Sequence, residues 1–261
     1  MYLALARVSF QRQLAYRAAN LSGLATNAFF GLLRAYILAA LFGARTNVAG
    51  YSLRAVITYT GLSQAPIAYI AIFSWWDMMR TIRSGEVATD LSRPCDYFWY
   101  WGAQDAGRAA AQLLLRGLPM MVLYALAYRI ALPPTWLQAG ALLASLVLAL
   151  FVSFGWRFVV SLAAFWTADA IGIGRLAWSL NIFLSGMLMP LAFFPDWAQA
   201  ALRASPFAAI VNAPIEVYLG LVRGPALLGT LAMQLAWGLA LMILSRAVLS
   251  AGMKRLVIQG G

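Results

Sequence analysis

The chain has 261 residues, 63% of them hydrophobic and only 10% charged, far below the roughly 25% of soluble domains, so its solvent is lipid. Its formal charge of +11 comes from basic residues scattered singly beside apolar spans, with no basic cluster, which excludes nucleic acid as a partner. Cys95 is the only cysteine and histidine is absent, which excludes disulfides, Ser-His triads and His metal sites.

The length suits one all-α integral membrane domain over residues 1–261, without a linker or low-complexity run to divide it. Residues 1–19 mix Leu3, Phe10 and Leu14 with Arg7, Arg12 and Arg17. At helical spacing the arginines share one broad sector, which predicts an elbow helix lying on the membrane surface. A plain extension of the first span with snorkelling arginines is the alternative. The same scattered arginines exclude a signal peptide.

A spanning helix needs about 20 mostly apolar residues. Six runs qualify: 21–42, 55–76, 109–131, 137–164, 172–194 and 225–249. With both termini on one side, Arg7, Arg12, Arg17, Arg80, Arg83, Arg93, Arg108, Lys254 and Arg255 share that side. Arg45, Arg54, Arg203 and Arg223 face the other. The larger group marks the cytoplasm, so both termini are expected there. No internal repeat relates the two halves, which weighs against an inverted-repeat carrier.

Arg34 lies midway along the first run, where a charge costs about 2.5 to 3.5 kcal/mol. No acidic residue in the neighbouring runs is an evident partner. Arg34 is therefore expected to face protein or a polar cavity and to meet carbonyls freed by Pro66 or Pro190. Arg116 and Arg157, nearer the ends of their runs, are expected to snorkel. Gln64, Asn181 and Ser185 are intramembrane polar residues of the kind that hydrogen-bond between helices. Asp169 and Glu216 fall beside the spans, not within them.

Between the second and third runs, residues 77–108 hold five of the eight acidic residues. Joining two helices takes about two to eight residues, so a segment this long reads as a contact surface exposed to water. Ser84-Gly85 is a break, Arg93-Pro94 a rigid step, and residues 97–101 an aromatic belt leading back to the membrane. Further on, residues 172–177 fit a loose dinucleotide pattern but follow no strand and carry no weight. A phosphate loop needs a lysine after its second glycine, and Lys254, the only lysine, is not so placed. The chain holds no ATPase site of that type and is not read as an enzyme.

Residues 184–207, LSGMLMPLAFFPDWAQAALRASPF, run an apolar helix into Pro190, Pro195 and Pro206. That is a membrane helix interrupted near one face, and irregular backbone at that depth persists only against protein or a watery cavity. The charge count places it on the outer side.

Three segments, LAYRAAN at 14–20, IRSGEVATDLSRP at 82–94 and the broken stretch at 184–207, together resemble ABC-2 permeases, the membrane subunits of type-2 ATP-binding-cassette exporters. The resemblance covers nearly the whole chain, and its most specific part is Gly85-Glu86 followed by Leu91-x-Arg93-Pro94. It implies an elbow helix, six spans, a coupling helix between spans two and three within 77–108, and short re-entrant helices at 195–224. By this resemblance Thr81, Arg83, Gly85, Glu86, Asp90, Leu91, Arg93 and Pro94 would meet a separate ATPase subunit. The broken stretch would be an outer gate lined by Gly186, Met187, Met189, Pro190, Phe193, Phe194 and Pro195. Two permeases, identical or paralogous, would work with two ATPase copies that bind ATP and Mg, in a bacterial inner membrane. No cofactor is expected in this chain. An ion-coupled secondary carrier is the alternative, and it would need an intramembrane carboxylate.

Overall fold

Lipid offers no partner for a free amide or carbonyl, so apolar runs close into helices. The computed structural model describes residues 1–43, 45–71, 76–128 and 130–255. α1 (Tyr2–Ala15) turns at Tyr16 into α2 (Arg17–Phe42). A hairpin of β1 (Asn47–Val48) and β2 (Tyr51–Ser52) leads to α3 (Leu53–Gln64), capped by the Ser52 hydroxyl, which accepts from the Ala55 amide at 3.2 Å. Short α4 (Asp77–Ser84) and α5 (Val87–Leu91) follow. α6 (Tyr97–Gln112) passes through a π turn at Leu113–Gly117 into α7 (Leu118–Ala127). Then come α8 (Trp136–Leu162), α9 (Ala170–Leu184), α10 (Asp196–Ala204), α11 (Pro206–Ile210), α12 (Asn212–Leu219) and α13 (Pro225–Met253).

Among the described residues four helices are long and apolar enough to cross a membrane: Arg17–Phe42, Tyr97–Ala127, Trp136–Phe165 and Pro225–Met253. The other two expected spans are interrupted. α3 has 12 residues and gives way to turns at 65–71, where Pro66 has no amide to continue the helix; residues 72–75 of that run lie outside the described residues. α9 has 15 residues and ends before Gly186, whose φ of 83° breaks the helical path ahead of Pro190. The third span starts earlier than expected. The Asp96 carboxylate accepts from the Trp99 amide at 3.0 Å and caps the helix there, so residues 97–101 are its first turns and not a separate belt.

α1 runs beside α6. Tyr2 OH accepts from the Asp96 amide at 3.2 Å, Ser9 Oγ donates to the Gln104 carbonyl at 2.7 Å, and Gln112 Nε2 donates to Gln13 Oε1 at 2.8 Å. The partners advance together, so the two helices are parallel. They approach so closely that a Cβ on Gly107 would lie 1.9 Å from the Ala6 carbonyl oxygen. Arg246 near the end of α13 also reaches Asp96, at 3.3 Å, so the start of α1 and the last turns of α13 gather at one end of the bundle with α4 and α5. The hairpin, the 130–135 loop and residues 185–224 gather at the other. There Arg54 donates to the Ile130 carbonyl at 2.7 Å and Gln138 to the Val222 carbonyl at 3.2 Å.

Each end has its own core. Tyr51, Tyr59, Met187, Ile210 and Ile215 pack at the hairpin end. Met78, Ile82, Val87, Phe98, Phe158 and Leu162 pack beneath α4 and α5.

Candidate functional site

The α4–α5 tip follows from its sequence. Met78, Met79, Ile82 and Val87 are buried, while Arg83, Gly85 and Glu86 stay exposed between them. Gly85 caps α4 in the left-handed region, with φ 81°, which a residue with a Cβ adopts only at about 1–2 kcal/mol. Of the residues expected to meet a partner, Arg83, Gly85, Glu86, Arg93 and Pro94 are on the surface, and Thr81, Asp90 and Leu91 hold the tip from within. Thr81 Oγ1 donates to the Met78 carbonyl at 3.0 Å. Asp90 pairs with Arg93 at 3.2 Å, and Arg93 also donates to Tyr100 OH at 2.8 Å while its guanidinium sits 4.9 Å over that ring. Burial holds the Asp90 carboxyl above the ordinary carboxylate range, with Arg93 pulling it back down.

Behind the tip lies a charge network that the sequence reading missed. Arg157 does not snorkel: its Nη2 meets Asp105 Oδ2 at 2.6 Å, and Asp105 is only 1% exposed. Arg108 donates from Nε to Asp105 Oδ1 at 2.8 Å, from Nη2 to the Tyr69 carbonyl at 2.7 Å, and from Nη1 to the Ala68 carbonyl. Ser153 Oγ donates to the Ile70 carbonyl at 2.8 Å. The carbonyls left bare where α3 ends therefore find donors on α6 and α8. The Asp105-x-x-Arg108 spacing was the available signal, since three residues along a helix bring the pair together; Arg157 lies 52 residues away and left no local trace.

At the opposite end the broken stretch is packed. Arg34 Nη1 donates to the Met187 carbonyl at 2.6 Å, so the carbonyl it meets is one on the Pro190 side. Tyr59 OH donates to the Gly186 carbonyl at 2.5 Å, and Asn212 Oδ1 accepts from the Leu191 amide at 3.4 Å. Gln199 donates to the Phe194 carbonyl at 2.7 Å, and Arg203 forks onto buried Glu216 at 2.7 and 2.8 Å. Gly186, Met187 and Pro190 are buried, Met189, Phe193 and Phe194 half-buried, and Pro195 exposed. Phe193 sits edge-on to Tyr51 at 5.8 Å. Asn181 lies apart from this cluster, lining with Arg157 and Trp156 a cavity of about 40 Å³, room for a water molecule.

The tip and the broken stretch are thus at opposite ends of the bundle, and Arg34 belongs with the second. Residues 30–260 match the family model described as ABC-2 family transporter protein. Neither curated proteins nor solved structures gave a match.

Proposed function

The chain belongs to the ABC-2 family of transporter proteins, and on that premise we propose that it is the permease subunit of an ATP-driven exporter. The observation that carries this reading is the exposed Arg83, Gly85 and Glu86 tip, set on a buried apolar base and tied to α6 through Arg93 and Tyr100. A partner pressing on this tip displaces α4 against α6 and α8 without bending it first. That partner is a separate ATPase subunit, present in two copies that bind ATP and Mg, with a second permease, identical or paralogous, completing the pathway. The termini then face the cytoplasm of a bacterial cell, α1 serves as the elbow beside α6, the broken stretch at 184–207 forms the outer gate, and residues 195–224 hold the short re-entrant helices. Closure of the ATPase pair rocks the permeases between inward and outward access.

Co-purification with the cognate ATPase, followed by transport in proteoliposomes, tests this. Glu86→Lys, Arg93→Glu and Pro94→Ala are expected to uncouple ATP hydrolysis from transport while the chain still inserts. Normal transport by all three variants would sink the proposal.

A further inference from the structure

Arg34 on α2 and Arg116 in the π turn pair with no carboxylate among the described residues. A guanidinium does not give up its proton, so both remain cations at membrane depth. Both face one seam, where α2 lies against α3 and α7. A Cβ on Gly23 would sit 2.5 Å from the Arg116 guanidinium carbon. One on Gly31 would sit 2.5 Å from Tyr124 OH and 2.9 Å from Gln64 Cγ. Asn27 lies between, and with its amide turned over it accepts from Arg116 at 3.3 Å. Positions 23, 27, 31 and 34 recur at helical spacing and form one face of α2.

Three buried atoms in this seam have no hydrogen-bond partner among the described residues: Gln64 Nε2, Tyr124 OH and Arg116 Nε. Gln64 and Tyr124 are each 2% exposed. All three atoms can donate, so the seam offers donors and positive charge where acceptors are wanting. Water would meet the donors but leave the charge uncompensated. An anion with several lone pairs would meet both. Beside the seam, Phe30, Leu33 and Ile37 of α2 are exposed and apolar, suited to a hydrocarbon tail.

We propose that this seam binds the anionic headgroup, phosphate or carboxylate, of an amphipathic molecule. Arg116 is its station nearer the chain termini and Arg34 its station beside the broken stretch, about 16 Å further along α2. That the molecule is cargo rests on the exporter reading; that the seam binds an anion does not.

The test uses the full chain in nanodiscs of zwitterionic lipid, with a fluorescent single-chain phosphate monoester and its choline ester as probes. The monoester is expected to bind at least about tenfold tighter, as a charge-assisted contact requires. Arg34→Gln and Arg116→Gln should each reduce that preference, and Arg34→Lys and Arg116→Lys should keep it. Equal binding of the two probes by the unaltered chain overturns the site, as does an undiminished preference in both glutamine variants. Should a glutamine variant fail to fold, the two-probe comparison and the lysine variants still decide. Retention of the monoester when phosphatidylglycerol is added supports cargo; its displacement overturns cargo and assigns the site to a bilayer lipid. Binding without ATP-dependent movement of the monoester, in proteoliposomes holding the cognate ATPase, counts against the exporter reading and leaves the anion site standing.

Discussion

Arg108 and Arg157 on one side, and Arg34 and Arg116 on the other, are the same residue type within apolar helices, yet their surroundings differ. The first pair closes on Asp105 and on the bare carbonyls of Ala68 and Tyr69. The second finds one carbonyl, an amide and idle donors. A network complete within the chain holds structure, while one short of acceptors is poised for something outside it. Substitutions separate the two cases. Asp105→Ala takes away the buried carboxylate that Arg108 and Arg157 share and should cost about 3–5 kcal/mol, read as a lowered unfolding temperature in detergent. Ser153→Ala removes the donor to the Ile70 carbonyl and should cost about 1–2 kcal/mol in the same assay. Arg34→Met should shift stability by less than about 1 kcal/mol, because the lost carbonyl contact is offset by removal of an uncompensated charge. A loss as large as that of Asp105→Ala would erase the distinction.

The smallest effect belongs to Asp90, which has one arginine where Asp105 has two. Its carboxyl is raised in the folded chain, so its contribution to stability is full below the ordinary carboxylate value of about 4 and is lost as pH rises through the folded value. The unaltered chain should therefore lose stability relative to Asp90→Asn as pH climbs out of the acid range. Parallel unfolding curves for the two proteins from acid to neutral pH would contradict this.

Much of the architecture was legible because lipid imposes a simple rule. The runs behind α2, α8 and α13 are long, apolar and free of breaks, and they formed full helices. The second run shortens at Pro66, and the fifth ends at Leu184, where Gly186 turns the backbone ahead of Pro190. Residues 97–101 misled because an aromatic run reads equally as a belt or as a buried helical face, and the Asp96 cap that decides it is a single side chain. Arg34 was placed against a freed carbonyl because a lone charge and a broken helix have complementary needs. The Arg157 pair is hidden in the sequence because Asp105 lies in a segment whose acids read as those of a watery loop. Met187 and Phe193 pack in the structure, as a closed gate and a helix end both would.

The Tyr69 and Ile70 carbonyls take their donors from residues 39 and 83 positions downstream. Synthesis delivers the chain N-terminus first, so the second run reaches the bilayer before Arg108 and Ser153 exist. Until then its turn must be met by water or by the insertion machinery, because hydrocarbon offers nothing to a bare carbonyl. Insertion is therefore not a tally of independent hydrophobic segments: the second run gains its donor at Tyr69 with α6 and its donor at Ile70 only with α8, and truncation between α6 and α8 should leave it partly outside the membrane.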